Sequence, residues 1–409
     1  MEWTPLRIRL FRDVGLCLSQ EKFATVLGFA KRTIGNAERG THSLSLALRR
    51  ALNQALEHAS DAQRDRFLAA IATEDQGIAS LAHGTAPTTF PALSVTTAPS
   101  LLTFPVRSYA DTAYLESVQQ HIRHVIELDG RFGGTDLAPL AVQFFRSVHQ
   151  QLGSGAYEPS IERDLQATAG ELAEVAGWLL YDADRQDDVR RMNQEALYFC
   201  RLAGDRSMEL LTLQNASMHA GFLGRPREAL HLARLVLESR DRLSPRVKTL
   251  FLVRKARALA QGGDEQALKF FDQARSHYED GMRDTDPKWA WWVNEHELNW
   301  HKGMALADLG HAREALGKFE QSVWKMAPHH VRGRYLHLGY LLGAQVQVGA
   351  WSDAETTMRQ IGAMVGHVAS TRAEVLLARV LPALTDEHVP GSTRDTAEQV
   401  TLLLNQAIT

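Results

Sequence analysis

Residues 19–40 read SQEKFATVLGFAKRTIGNAERG, a pattern that predicts two short helices separated by a single glycine turn. Ser19 is a preferred N-cap, because its hydroxyl can accept a hydrogen bond from an amide of the first helical turn. Phe23 and Leu27 lie four residues apart and share one face of the first helix. Gly28 ends this helix, since the residue that follows a helix often adopts a positive φ angle. Gly40 ends the second helix.

The second of these helices is predicted to have a basic, exposed face. Ile34 anchors it to the first helix, while Lys31, Arg32 and Asn36 are exposed. Arg and Lys can donate to O6 and N7 of guanine, and Asn can pair with N6 and N7 of adenine, so this helix fits the major groove of DNA. Residues 5–50 contain nine Lys or Arg against three acidic residues, whereas the whole chain has a net charge of -3. A basic end on a mildly acidic chain indicates a separate nucleic-acid-binding module.

The stretch resembles the Xre-type helix-turn-helix of phage repressors and many bacterial regulators. At six positions this sequence has the residue of the family's pattern or a similar one: Gln20, Ala24, Gly28, Ile34, Glu38 and Gly40. The resemblance implies that Lys31, Arg32 and Asn36 read bases. It also implies that Gln20 and Thr33 hold the phosphate backbone, with Arg39 as a further DNA contact. Gly35 inside the reading helix and Ala37, where a bulkier apolar residue is usual, depart from the family pattern. The alternative interpretation is a basic surface helix in an ordinary helical domain.

Composition and missing motifs argue against a membrane protein, a secreted protein, a metal-binding protein and an enzyme. The length of 409 residues suggests two or three domains, and an apolar content of 44% is ample for a large core. No apolar run approaches the roughly 18 residues that a membrane span needs, and the first residues lack the apolar region of a signal peptide. Only Cys17 and Cys200 occur, and His329-His330 have no carboxylate or Cys at ligand spacing. A cytoplasmic protein without a metal ion, a cofactor or a membrane partner is predicted. No enzyme is predicted either, because phosphate-binding glycine loops, metalloprotease motifs and nucleophile elbows are missing.

Three regions are predicted along the chain: a helix-turn-helix domain over 1–72, a linker rich in Pro, Thr and Ser over 73–109, and a helical domain over 110–409. In the helical domain, a glycine is followed five residues later by an alanine at four turns. The pairs are Gly224/Ala229, Gly262/Ala267, Gly310/Ala315 and Gly349/Ala354, and Asp184, 40 residues before Gly224, marks a degenerate repeat. The glycine permits a sharp reversal, and the alanine lets the second helix pack closely on the first. Such helix pairs bury their apolar faces only by stacking, which predicts a solenoid.

The repeat resembles the tetratricopeptide family over roughly residues 168–408, with turn glycines 38 to 48 residues apart instead of the usual period of about 34. Helix pairs of the HEAT type are the structural alternative. The predicted fold class is all-α, with a five-helix type of helix-turn-helix domain and a tetratricopeptide-like α-solenoid. This combination, with ELDGRFGG at 127–134 and AGWLLYD at 176–182, resembles a class of actinobacterial transcription regulators.

The architecture is also similar to the Rap and PlcR type of peptide receptors that act in quorum sensing. These resemblances imply a homodimer that reads a palindromic double-stranded DNA operator and senses a peptide or a small molecule. The alternative function is a tetratricopeptide adaptor that binds other proteins without effector sensing.

Candidate effector contacts follow from the turn glycines. Counting back nine residues reaches Asn215, Val253, His301 and Tyr340, and a shift of one residue brings in Arg254 or Trp300. By the tetratricopeptide resemblance, Asn215 holds the backbone or the carboxylate of a ligand; a capped or solvated Asn is the alternative. Residues 289–301 hold four of the eight tryptophans, and Trp289, Trp292 and His296 are predicted to share one helical face that forms either a pocket or core. The full set of predicted effector contacts is Asn215, Arg254, Trp292, Asn294, His301 and Tyr340.

Overall fold

The computed structural model describes residues 3–16, 18–39, 44–59, 63–64, 67–68, 71, 109–239, 242–326 and 330–408. These residues are mostly helical and contain no β-strand, which confirms the predicted all-α class. Several predictions concern residues outside this part of the chain, namely Cys17, Gly40, His329 and the linker over 73–109 apart from Tyr109. Among the described helices, none combines the length and the apolar composition that a bilayer span requires.

Eighteen α-helices are defined among the described residues, and they are numbered here in chain order. They are α1 (Pro5–Leu10), α2 (Gln20–Leu27), α3 (Lys31–Arg39), α4 (Leu46–His58), α5 (Thr112–Phe132), α6 (Ala138–Ser154), α7 (Glu162–Asp182), α8 (Gln186–Ala203), α9 (Arg206–Phe222), α10 (Pro226–Leu237), α11 (Pro245–Gln261), α12 (Gln266–Glu279), α13 (Glu295–Asp308), α14 (Ala312–Lys325), α15 (Val331–Val348), α16 (Trp351–Gly362), α17 (Thr371–Val380) and α18 (Gly391–Ile408). Shorter helical turns cover Phe11–Gly15, Pro159–Ile161, Lys288–Trp292 and Leu381–Leu384.

By their contacts, the residues group into two compact units. The first unit comprises Met1–Pro91, Arg240–Leu250 and Asp272–Asn294, and the second comprises Ala92–Ser239, Phe251–Phe271 and Glu295–Thr409. Two segments of the first unit, 240–250 and 272–294, therefore come from the region that the sequence assigns to the helical repeats. Helices α11 and α12 each contain residues of both units.

An aromatic core organises the first unit. The rings of Phe11, Phe23 and Phe67 are fully buried, and the Phe11 centroid lies 6.0 Å from that of Phe23 and 4.9 Å from that of Phe67. Helix α2 begins at Ser19, whose Oγ accepts a hydrogen bond from the Lys22 amide at 3.2 Å. It ends at Gly28, which adopts a φ angle of 73°. Both ends of α2 are the ones that the sequence predicts.

The second unit contains consecutive helix pairs joined by short turns. Helix α7 packs on α8, α9 on α10, α13 on α14 and α15 on α16. Turn glycines at 224, 310 and 349 adopt φ angles of 69°, 84° and 72°, in the left-handed region that favours glycine. The predicted alanines are buried, with exposures of 2% at Ala229 and 0% at Ala267, Ala315 and Ala354. Each alanine thus permits close packing of the second helix of its pair.

One of these turns differs from its prediction by a single residue. Between α11 and α12, the residue in the left-handed region is Gly263, with a φ angle of 76°. Gly262 is still part of the last helical turn, because its amide donates to the Leu259 carbonyl at 2.9 Å. Between α7 and α8 the corresponding place is taken by Asp184, whose φ of 57° is the one positive value among the described residues other than glycine. A turn is therefore present at Asp184, where the sequence places a degenerate repeat.

Candidate functional site

Helix α3, the predicted reading helix, has one buried and one exposed face. Ile34 is fully buried in the core of the first unit, and Ala37 lies beside it at 5% exposure. Lys31, Arg32 and Thr33 occupy the first turn and are exposed. This end of α3 therefore offers two cations and a hydroxyl on a helix whose other side is fixed by the core.

Two further predicted DNA contacts, Asn36 and Arg39, are paired with each other. Nη2 of Arg39 donates a hydrogen bond to Oδ1 of Asn36 at 2.8 Å. The guanidinium also lies against Gly35, where an added Cβ would stand 3.3 Å from Nη1 of Arg39. The glycine inside α3 thus leaves room for the Arg39 guanidinium along the helix surface.

Gln20 and Glu38 form part of a buried polar cluster with Arg12. Nε of Arg12 donates to Oε1 of Glu38 at 2.5 Å, and Nε2 of Gln20 donates to Oε2 at 2.6 Å. The Arg12 and Glu38 side chains are 5% and 1% exposed. Burial lowers the pKa of Arg12, but Asp13 and Glu38 outweigh it, so the pKa is raised overall. Gln20, predicted as a phosphate contact, also helps to hold α3 through Glu38.

Residues 279–286, named here the acidic segment, also belong to the first unit and contain four carboxylates and one arginine. Nζ of Lys31 lies 3.7 Å from Oδ1 of Asp280, and Lys22 forms an ion pair with Asp284. Sequence reasoning missed these contacts. The partners in the second pair are 262 residues apart, and no local pattern signals such a distance.

The tryptophan-rich stretch is not one helix. Lys288–Trp292 forms a short 3₁₀-helix, and α13 begins only at residue 295. The prediction that Trp289, Trp292 and His296 share one helical face is therefore wrong. The rings of Trp289 and Trp292 stack with centroids 6.4 Å apart, and both side chains are half-buried. Trp292 and Asn294 belong to the first unit, whereas the other predicted effector contacts belong to the second.

In the second unit, buried polar side chains connect the first helices of successive pairs. Oε1 of Glu174 on α7 accepts from Nδ2 of Asn215 on α9 at 2.6 Å, and Gln214 donates to the Asn215 amide oxygen. On α11, Arg254 donates to Oε1 of Gln214 through Nη2 at 2.8 Å and through Nε at 3.0 Å. Nη1 of Arg254 donates to Nε2 of His301 on α13 at 2.9 Å. We call these five residues the polar chain; it contains three of the six predicted effector contacts.

The corrected turn explains which residue of α11 joins the polar chain. Counting back nine residues from Gly262 reaches Val253, an apolar side chain that is 2% exposed. The same count from Gly263, the residue with the positive φ, reaches Arg254. The alternative register, which includes Arg254, is therefore the one that matches the network.

Burial changes the ionisation of the polar chain. It raises the pKa of Glu174 to about 8, opposed by the hydrogen bond from Asn215. It lowers the pKa of Arg254 to about 10, which leaves the guanidinium charged at neutral pH. The pKa of His301 lies well below its usual value because of burial and the nearby Arg254. A neutral His301 that accepts at Nε2 carries its proton on Nδ1, and this atom has no hydrogen-bond partner among the described residues.

Tyr340, the last predicted effector contact, belongs to an aromatic cluster. Its ring meets Trp300 edge-on at 5.7 Å and lies roughly parallel to Phe319 at 5.9 Å. Trp300 in turn stacks on His337 with centroids 4.2 Å apart. Trp300, the residue reached by the shifted count in α13, is 7% exposed, so it packs chiefly as core.

The beginning and the end of the second unit meet at a set of backbone hydrogen bonds. The Ala369 amide donates to the Phe132 carbonyl at 2.7 Å, and the Thr135 amide donates to the Ala369 carbonyl at 3.2 Å. Gly133 has a φ angle of 90°, and a Cβ at this position would stand 2.2 Å from the Ala369 oxygen. We call the contact between residues 132–135 and 369–371 the closing contact.

Asp182, fully buried at the end of α7, reinforces the closing contact. Its Oδ1 accepts from Oγ of Ser370 at 2.9 Å and from Nη2 of Arg372 at 3.4 Å, and its Oδ2 accepts from the Gly134 amide at 3.2 Å. The Arg372 guanidinium also lies 4.2 Å above the centre of the Tyr181 ring. An Asp inside an apolar helix and a Gly-Gly pair were visible in the sequence, but sequence reasoning used them only for the family resemblance.

The cavity beside Asn215 of the polar chain is small. The cavity lined by Asn215, together with Trp178, Tyr181 and His219, has a volume of about 10 Å³. Such a volume holds about one water molecule. A peptide can therefore reach Asn215 through this cavity only after the neighbouring helices separate.

No protein-family model matches the chain, and no curated protein matches it. The exposed end of α3, the acidic segment and the polar chain are the features from which its function can be inferred.

Proposed function

We propose that the protein is a sequence-specific, DNA-binding transcription regulator. Helices α2 and α3 act as an Xre-type helix-turn-helix, and α3 enters the major groove. The observation that carries the proposal is the first turn of α3, where Lys31, Arg32 and Thr33 are exposed while Ile34 is fixed in the core. Helices of this motif contact base edges with their N-terminal residues, so both the anchoring and the exposed donors support this role.

Each predicted contact has a chemical task in this proposal. Lys31 and Arg32 donate to guanine, and Asn36 pairs with adenine after its amide oxygen releases Arg39. The Gln20 amide has two N–H donors; while one serves Glu38, the second is available to a phosphate. Thr33 supplies a hydroxyl to the backbone, and the N-terminus of α2 adds the partial positive charge that favours phosphate binding.

In this proposal the second unit is a tetratricopeptide-like solenoid that forms the homodimer and senses the effector. A dimer places two copies of α3 on half-sites of a palindrome about one helical turn apart. The polar chain supports an effector role, because burying so many polar groups is costly and such groups cluster at functional sites. Asn215, Arg254, His301 and Tyr340 of the second unit then hold a peptide or a small molecule. The effector acts by preferring one arrangement of the protein.

Selection of an operator from a pool of random duplexes by the purified protein tests the DNA-binding proposal. We expect Arg32→Ala to weaken operator binding by about 1–3 kcal/mol and to relax the preference at one base position. Fluorescence anisotropy at several salt concentrations measures both effects. Arg379→Ala removes the same charge from an exposed position of α17 and serves as the matched control.

If Arg32→Ala binds the operator as tightly as the wild type, α3 is not the reading helix. If the wild type shows no salt-dependent affinity for any duplex, the adaptor function replaces the regulator.

A further inference from the structure

The acidic segment lies directly on the start of α2. Its Gly281 is buried and adopts a φ angle of 80°. A Cβ at Gly281 would stand 3.2 Å from Cα of Ser19 and 3.4 Å from the amide nitrogen of Gln20. The backbone of the segment therefore approaches the helix N-terminus as closely as a glycine allows.

Contacts of Asp286 and Arg246 hold the shape of the acidic segment. Asp286 accepts from the amide of Arg246 at 2.9 Å and from the amide of Arg283 at 2.8 Å. The Arg246 side chain donates to the Val293 carbonyl at 2.8 Å and lies 4.1 Å above the Tyr278 ring. Asp286 is thus structural, which leaves Asp280 and Asp284 to face the lysines.

Of the two lysines that the segment contacts, Lys31 is itself assigned to base reading, and Lys22 is a neighbour of the assigned phosphate contact Gln20. Lys31 opens α3, and Lys22 lies in the first turn of α2 next to Gln20. Lysines that neutralise DNA phosphates supply much of the affinity of such proteins. In the structure, the carboxylates of Asp280 and Asp284 pair with these lysines instead.

We propose that the acidic segment is an autoinhibitory element that competes with DNA for Lys22, Lys31 and the start of α2. This inference rests on the DNA-binding function proposed above. The segment follows α12 without a break and leads through the 3₁₀-helix at 288–292 towards α13. Its release frees both lysines and removes the carboxylates of Asp280 and Asp284 from the face that meets the duplex.

The strength of this inhibition is set by exposed ion pairs. The lysine side chains are 54% and 46% exposed, and exposed pairs are individually weak. Two of them, together with the repulsion between carboxylates and phosphates, reduce DNA affinity by about 5- to 30-fold. Inhibition of this size is reversed by a small change in the free energy of the contact, and it weakens as salt concentration rises.

The test uses the full chain with Asp280→Asn and Asp284→Asn combined. These exposed side chains keep their shape and lose only their charge. The matched control is Glu387→Gln with Glu398→Gln, which removes the same net charge from exposed positions of the second unit. We expect the acidic-segment variant, but not the control, to bind the selected operator about 5- to 30-fold more tightly at low salt. Its plot of log affinity against log salt should be steeper by roughly one.

A second measurement does not depend on DNA. Mass spectrometry follows the acylation of Lys22 and Lys31 by a limiting amine reagent, with the exposed Lys269 as internal reference. We expect both lysines to react several times faster in the double Asn variant. Gly281→Ala, which places a Cβ against Ser19, should increase their reactivity in the same way.

The outcomes separate the two proposals. Unchanged lysine reactivity in both variants overturns the autoinhibitory contact. Increased reactivity with equal operator affinity in wild type and variant also overturns it, because the contact then does not compete with DNA. Increased reactivity with no DNA binding by any form leaves the contact in place and overturns the proposed function.

Discussion

Glu38 lies on the buried side of α3 and holds the helix through its carboxylate. It accepts hydrogen bonds from Arg12 at 2.5 Å and from Gln20 at 2.6 Å. Removing one partner of a buried ion pair leaves the other charge uncompensated, typically at a cost of about 3–5 kcal/mol. We expect Glu38→Gln to reduce the stability of the first unit by roughly that amount, measured as faster hydrogen exchange of the α3 amides.

Two further variants complete this experiment. Arg12→Met combined with Glu38→Leu removes both charges and should cost much less than Glu38→Gln alone. Glu21→Gln changes an exposed glutamate of α2 and should alter stability by less than about 0.5 kcal/mol. Wild-type exchange rates in Glu38→Gln would show that the ion pair contributes nothing to holding α3.

At the level of single residues, the sequence predicted exposure better than partners. The helical period predicts that Arg32 points away from Ile34, and the charge of Lys31 predicts that its side chain is exposed. Neither carries information on Asp280, because that pairing depends on how distant segments fold together. The prediction for the turn between α11 and α12 chose the wrong one of two adjacent glycines, since either glycine can adopt a positive φ angle. Because of this shift of one residue, the count of nine residues back from the turn reached Val253 instead of Arg254.

Helices α7, α9, α11 and α13 carry the polar chain, which makes the stability of the second unit depend on pH. Burial raises the pKa of Glu174 from 4.5 to about 8, so the folded protein keeps a proton in this range that the unfolded chain has released. Unfolding then releases the proton, and the free energy of unfolding falls as pH rises. Burial lowers the pKa values of His219 and His296 from 6.5 to about 4. These two histidines make the free energy of unfolding rise with pH, but only below pH 6.5. We therefore expect stability to fall between pH 6.5 and 8.

Glu174→Gln should make this fall less steep, because the amide cannot lose a proton yet still offers an oxygen to Asn215. Urea denaturation followed by circular dichroism at several pH values measures the slope. Glu398→Gln, at an exposed site in α18, should retain the wild-type slope. An unaltered slope in Glu174→Gln would mean that Glu174 titrates near its usual pKa.

At the level of elements, helix caps and turns were predictable, but the tryptophan-rich stretch was not. Its apolar spacing suggested one continuous helix, whereas the chain forms a 3₁₀-helix and then starts α13 at residue 295. Asn294 followed three residues later by Glu297 is a capping-box pattern. This pattern predicts the observed start of α13, because an Asn at the N-cap can satisfy a free amide of the first helical turn.

At the level of the whole molecule, the division into two units differs most from the domain boundaries that the sequence predicts. The repeats continue through residues 240–294, so the pattern gives no reason to group 240–250 and 272–294 with the N-terminal residues. Repeat periodicity reports contacts between neighbours along the chain. It does not report contacts such as those of the acidic segment, which join residues far apart in sequence.

The closing contact also acts on the scale of the second unit, and Gly133 is its most sensitive residue. A Cβ would meet a backbone oxygen that cannot rotate away, at a φ angle that other residues rarely adopt. We expect Gly133→Ala to lower the free energy of unfolding of this unit by about 2–4 kcal/mol, measured by urea denaturation. Gly130→Ala is the matched control. Its Cβ meets nothing within 4 Å, so it should stabilise α5 by up to about 1 kcal/mol. Equal stability of the two variants would contradict the close approach at Ala369.

The same contact bears on how this protein can evolve. An array in which each helix pair touches only its neighbours can gain or lose a pair by gene duplication or deletion, because the ends remain independent. Here the Phe132 carbonyl and the Ala369 amide are bonded at 2.7 Å, so an inserted pair would drive them apart. Descendants of this gene are therefore expected to vary in side chains and loops while keeping the number of helix pairs constant.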